Sequence, residues 1–123
     1  MKQVLIVEDE RPLCQLLQHI IQSEGLAAEY AFDAREAAAK IKKSAPDLII
    51  LDVNLPGIDG LQFLSELKSS SKTVEIPVIM CTEKNLMKDI EIAHSMGATG
   101  YITKPFTHER VARKVREILG SKA

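Results

Sequence analysis

Short apolar runs alternate along this chain with longer stretches in which apolar residues return every three or four positions. "QVLIV" at 3–7 and "DLIIL" at 47–51 are continuous, the pattern of strands buried on both faces. "PVIMC" and "GYIT" read as two more strands, and "AAEYAF" as a weaker one. Between them the spacing predicts helices. The first runs from Arg11 to Glu24, opens with Pro12, turns Leu13, Leu16, Leu17, Ile20 and Ile21 to one face, and stops at Gly25. Asp33 and Glu36 form a capping pattern before a helix through Ala37, Ala38 and Ile41. A third helix starts at Asp59 to Gln62 with Leu61, Phe63, Leu64 and Leu67 inward. A fourth spans Leu86 to Met96 and ends at Gly97. Thr107 caps a last helix carrying Val111, Val115, Ile118 and Leu119. Met80, Met87 and Met96 read as core filler.

Strict alternation of five strands and five helices predicts an α/β fold: a doubly wound, mostly parallel sheet with helices on both faces. In such sheets the carboxyl ends of the strands line a crevice where strand order reverses. Nothing suggests a repeat or an internal boundary, so residues 1–123 read as one domain. The hydrophobic share of 46% and charged share of 27% are ordinary for a soluble protein, and a net charge of −1 does not select a nucleic-acid partner. Arg110, Arg113, Lys114 and Arg116 on the last helix therefore read as a solvated face, and no direct nucleic-acid binding is expected. The opening "MKQVLIVEDE" turns acidic too soon for a signal peptide, and no window suits a membrane span. Cys14 and Cys81 lack metal-ligand spacing and fall at apolar positions. They read as buried free thiols of a reduced, cytoplasmic protein.

The strand ends carry the chemistry. The first strand runs into Glu8 and Asp9, the third into Asp52, the fourth ends in Thr82, and the fifth runs into Lys104 and Pro105. Each has a structural explanation alone, as a cap, a turn former or a surface lysine. Together they bring three carboxylates, a hydroxyl and an ammonium to one crevice. Like charges about 4 Å apart repel by roughly 4 kcal/mol at an effective dielectric of 20. The acids must therefore be protonated, paired with lysine, or bound to a cation. All-oxygen ligands suit a hard ion such as magnesium. Lys104 and Thr82 suit an anion delivered beside it, phosphate being the obvious candidate, and an aspartate can attack a phosphoryl group.

The segments "VLIVEDE", "PDLIILDVNLPGIDGLQFL", "IPVIMCTE" and "GATGYITKPF" resemble, in order and spacing, the receiver domain of two-component response regulators, as in single-domain chemotaxis regulators. That resemblance implies a flavodoxin-like sheet of order 2-1-3-4-5. It implies Asp52 as phosphoacceptor for a histidine kinase or phosphotransfer protein. Glu8, Asp9, Asp52 and the backbone carbonyl of Asn54 would bind Mg2+. Thr82 and Lys104 would hold the phosphoryl oxygens, and Tyr101 would be the aromatic that follows Thr82 in the switch. Without the resemblance, Tyr101 reads as a half-buried strand aromatic. Lys104-Pro105 would be joined by a cis peptide, found at about one X-Pro bond in twenty. Output would use the fourth helix, fifth strand and last helix, toward a downstream protein or a missing output domain, and a phosphorylation-dependent dimer stays open. Such a domain is not an enzyme beyond catalysing its own phosphorylation and slow dephosphorylation.

Two other classes compete. A metal-dependent phosphatase would resemble Asp-x-Asp at Asp52, but Asn54 occupies the second position and cannot serve as the general acid. A degenerate receiver used only for docking would lack a site residue, and none is missing. One departure stands out: after Thr82 the family usually has a small residue, and here stands Glu83. Its bulk and charge would hinder anionic donors and attacking water, or it would turn outward or pair with Lys84 and do nothing. Lys84 and Asn54 lie near the same opening and would modulate the phosphorylated lifetime. The chain ends about a turn after the last helix, leaving a stand-alone receiver or a piece of a longer regulator open.

Overall fold

In a computed structural model, residues 1–84 and 86–120 are described. Five strands, β1 (Gln3–Val7), β2 (Ala27–Ala31), β3 (Leu48–Leu51), β4 (Val78–Thr82) and β5 (Gly100–Thr103), pair in parallel in the order β2-β1-β3-β4-β5. The helices are α1 (Arg11–Ser23), α2 (Ala34–Lys43), α3 (Gly60–Lys68), α4 (Met87–Ser95) and α5 (His108–Leu119). Because β1 lies between β2 and β3, the chain steps one way after the first crossover and the other way afterwards. That reversal opens a crevice at the carboxyl ends of β1 and β3.

The continuous apolar runs are explained by two cores. Alternate strand residues point to opposite faces. Leu5, Val7, Ile49, Leu51, Val78 and Met80 meet Ala37, Ile41, Phe63, Leu64 and Leu67 of α2 and α3. Val4, Ile6, Ile50, Ile79 and Ile102 meet Leu17, Ile20, Ile21, Val111 and Val115 of α1 and α5. Each large side chain so buried contributes about 1.5–3 kcal/mol. Three helix starts are capped as their sequences predict. Asp33 Oδ1 accepts the Glu36 N–H at 2.7 Å, Asp59 Oδ1 the Gln62 N–H at 2.8 Å, and Thr107 Oγ1 the Arg110 N–H at 3.1 Å. Glu36 Oε1 reaches back to the Phe32 N–H at 2.7 Å, one residue before the cap.

Two apolar placements differ from the sequence reading. Leu16 is 47% exposed, because the buried stripe of α1 centres on Cys14, Leu17, Ile20 and Ile21 and a neighbour of Leu17 lies about 100° round the helix. Met87 is 68% exposed, since α4 buries only Ala93. Met80 is buried and Met96 packs on the core. Both cysteines are buried free thiols.

Gly60 fixes the loop that carries the residues after β3. Its N–H donates to the Val53 carbonyl at 2.7 Å, and a Cβ here would run into the backbone carbonyl of Asp52. Gly60→Ala should therefore destabilise the fold by roughly 1–3 kcal/mol, the usual cost of overpacking. Urea unfolding measures this, and an unchanged midpoint would show that the loop yields freely.

Candidate functional site

The ladder hydrogen bonds run one residue past each strand. Val7 pairs with Leu51 and Thr82 with Thr103. Beyond them, the Glu8 N–H donates to Ala31 O at 3.0 Å, Asp52 N–H to Val7 O at 3.1 Å, and Lys104 N–H to Thr82 O at 2.8 Å. The register sets Glu8 level with Asp52 at the carboxyl end of the sheet, and Lys104, two residues further along than the position level with Asp52, sends its long side chain back to both. Lys104 Nζ donates to Glu8 Oε1 at 2.7 Å and to Asp52 Oδ2 at 3.1 Å. Both acids are buried, at 2% and 5% exposure. Their other oxygens take backbone donors: Glu8 Oε2 accepts the Glu10 N–H and Asp52 Oδ1 the Asn54 N–H, each at 3.2 Å. The Lys104–Pro105 peptide is cis.

One ammonium cannot neutralise two buried carboxylates. Burial pushes the Glu8 carboxyl up to about 7 against the Lys104 hydrogen bond, and the charge of Asp52 adds to the rise. For Lys104 burial acts downward, but the Glu8 hydrogen bond and the charges of Asp52 and Glu8 outweigh it and hold the ammonium above its ordinary range. The two shifts pull against each other, since an ionised Glu8 is what favours the ammonium. The upward direction for Glu8 follows from two acids sharing one cation. The site therefore carries surplus negative charge.

Asp9 lies at the exposed rim, and carboxylate oxygens of Glu8, Asp9 and Glu10 fall within 4.8 Å of one another. Hard oxygen donors with surplus charge fit a divalent cation such as magnesium. A soft metal is disfavoured, because burial, with the charges of Glu8 and Asp9, raises the Cys14 thiol to about 11, and burial raises Cys81 to about 12. Cys14 Sγ instead donates to the Glu8 carbonyl at 3.1 Å, tying α1 to the end of β1. Glu10 was not picked out by strand-end reasoning, although its adjacency to Glu8 and Asp9 is a signal in the sequence.

Thr82 is fully buried and Tyr101 half-buried beside the Met80 core layer. The main chain of one residue, Lys84, links them through the two peptide groups on either side of its Cα. The Lys84 N–H donates to Thr82 Oγ1 at 3.4 Å, and the Lys84 carbonyl accepts from Tyr101 Oη at 2.8 Å. Residue 84 therefore matters through its backbone, which no side-chain motif reveals. Asn54, Glu83 and Lys84 are exposed around the opening, and Glu83 forms no ion pair among the described residues.

Residues 4–116 match the family model described as the response regulator receiver domain. The solved chemotaxis response regulator CheY4 of Vibrio cholerae is similar, with 33% identity over 96% of this chain and 98% of that one and a TM-score of 0.90. A putative response regulator from Chloroflexus aurantiacus is 30% identical over 96% and 97%, also with a TM-score of 0.90. NtrX from Brucella abortus is 34% identical over 95% of this chain but only 27% of its own, with a TM-score of 0.88.

The Glu8 carboxyl predicts a pH dependence for the metal-free protein. It titrates near 4.5 when unperturbed and near 7 in the fold. Between those values the folded state keeps a proton that the unfolded chain has lost. Stability from this group is complete below about 4.5 and falls as pH rises toward 7, by up to about 1.4 kcal/mol per pH unit. Relative to Glu8→Gln, the parent should lose unfolding free energy across that window. A pH-independent difference would refute the raised carboxyl.

Proposed function

We propose, for a chain that belongs to the response regulator receiver domain family, that Asp52 is its phosphoacceptor and that phosphorylation there alters the surface offered to a partner. The observation that carries this reading is the Lys104 ammonium shared between buried Asp52 and Glu8. It places a cation where the oxygens of a phosphoryl group bound to Asp52 would lie. The donor is a histidine kinase or a phosphotransfer protein, and the setting is cytoplasmic. Among the described residues no helix is long and apolar enough to cross a membrane.

An Asp52 carboxylate oxygen attacks the phosphorus of a phosphohistidine. The P–N bond breaks with its electron pair going to the imidazole, which takes up a proton, and an aspartyl phosphate remains. Lys104 then transfers its hydrogen bond from Asp52 to a phosphoryl oxygen, and the buried Thr82 hydroxyl donates to another. Glu8, Asp9, Asp52 and the Asn54 backbone carbonyl would hold Mg2+, which when bound supplies positive charge against the transferring oxygens. Water attacking the same phosphorus later returns free Asp52, so the only chemistry is the domain's own phosphorylation and dephosphorylation.

The link from site to surface runs through the main chain of Lys84, whose N–H meets Thr82 and whose carbonyl meets Tyr101. Movement of Thr82 toward a phosphoryl oxygen pulls on the Lys84 main chain and frees the Tyr101 hydroxyl. Next to it, α4 buries only Ala93 and has no side-chain cap. A weakly anchored helix can be re-seated by the few kcal/mol that one phosphoryl group supplies. The face formed by α4, β5 and α5 is accordingly the proposed output surface, for a downstream protein, an output domain or a second phosphorylated copy.

With magnesium, acetyl phosphate or a phosphorylated kinase should add one phosphoryl group to the parent and none to Asp52→Asn, by intact mass. Chelating magnesium should stop labelling. Equal labelling of the Asn variant would refute the assignment. Glu83 adds a second expectation. Exposed and charged beside Thr82, it slows both anionic donors and the attacking water. Glu83→Ala should raise the acetyl phosphate labelling rate and the decay rate of the phosphoprotein, and the labelling difference should shrink in high salt. Unchanged rates would make Glu83 a surface residue only.

A further inference from the structure

Arg11 follows the acidic run Glu8-Asp9-Glu10 directly, yet it pairs with none of these acids, nor with any carboxylate among the described residues. Its guanidinium carbon lies 4.9 Å from the centre of the Phe32 ring. That ring is itself braced. It lies 5.4 Å from Tyr30 at a 54° tilt, and the Phe32 backbone N–H is held by Glu36 Oε1 at 2.7 Å. An aromatic face attracts a guanidinium without consuming its in-plane N–H donors as a carboxylate would. The residue just beyond β2 therefore acts as a pedestal, presenting an unspent cation on the carboxyl-end side of the sheet.

The surroundings give that cation a task. A phosphoryl donor is an anion, and it must approach a site with surplus negative charge and three carboxylates at the end of β1. Lys104 is already engaged by Glu8 and Asp52. Arg11 opens α1 directly after these acids and is held at the carboxyl-end side of the sheet by Phe32, the residue just past β2. We propose that Arg11, held on the Phe32 ring, binds the phosphoryl group of the incoming donor and guides it past the acidic rim to Asp52. This inference rests on the phosphoacceptor reading of Asp52. It adds a residue that acts on the free donor rather than on the phosphorylated product, so it governs donor concentration dependence and not the rate at saturation.

The test is labelling of the full chain over a range of acetyl phosphate and phosphoramidate concentrations with magnesium, for the parent, Arg11→Gln, Arg11→Lys and Phe32→Leu. Arg11→Gln should raise the donor concentration for half-maximal rate by roughly two- to fivefold, the scale of an exposed ion pair, with the maximal rate unchanged. Arg11→Lys keeps the charge but loses the planar fork, and Phe32→Leu keeps Arg11 but removes its pedestal, so both should fall between. The differences should narrow in high salt. Equal melting temperatures exclude a folding defect at this exposed position. If the parent labels on Asp52 and Arg11→Gln matches it at every donor concentration, the Arg11 role is refuted. An effect with acetyl phosphate alone would place the contact on the leaving carboxylate and overturn it as well. If the parent takes up no phosphoryl group on Asp52, the phosphoacceptor reading itself fails.

Discussion

The Lys104 ammonium, shared between Glu8 and Asp52, is the interaction on which the rest of this structure turns. It joins residues from three strands, separated by 96 and 52 positions in the chain. Removing it would leave two buried carboxylates facing each other with only backbone donors, a strongly unfavourable arrangement. Its geometry depends on the parallel register, which continues one residue past β1, β3 and β5. The apolar cores on both faces keep that register from slipping, because a one-residue shift would turn every strand side chain to the wrong side. Core packing and site chemistry are therefore one constraint seen from two ends of the same strands.

The same economy applies to the route out of the site. Thr82 ends a fully buried strand and has no freedom to signal alone. Tyr101 lies on the neighbouring strand, paired through Met80. What joins their hydroxyls is the main chain of the one exposed residue Lys84, with the thinly anchored α4 following it. Rigid parts hold the chemistry, and a lightly held part adjoins them. On the other core, α5 is fastened to α1 by the Arg116–Glu24 pair at 2.9 Å.

Much of this was legible in the sequence. Continuous runs such as Leu48 to Leu51 can be buried only between two helix layers, so the alternating pattern predicts the architecture. Polar residues at four strand ends predict a single crevice. The strand order came from family resemblance rather than from periodicity, since pairing order leaves no local trace in a chain. Leu16 and Met87 misled because an apolar residue marks a helix face only to within a turn. Glu10 lies one residue beyond the strand-end pattern that Glu8 and Asp9 complete, so its place in the acidic group emerges from the structure. The main-chain bonds of Lys84 and the seating of Arg11 on Phe32 were not legible at all. One is main chain, and the other joins the first residue of α1 to the residue just past β2.

The separation of Glu8, Asp52 and Lys104 along the chain has a consequence during synthesis. Growing polypeptides leave the ribosome amino end first. Glu8 and Asp52 therefore emerge long before the lysine that balances them. Until β5 has been made and docked, the two acids have no reason to approach, and their repulsion keeps the crevice from closing prematurely. A nascent or truncated chain that lacks Lys104 thus lacks the cation that balances Glu8 and Asp52. A charge-balanced crevice becomes a certificate that the whole sheet has been built.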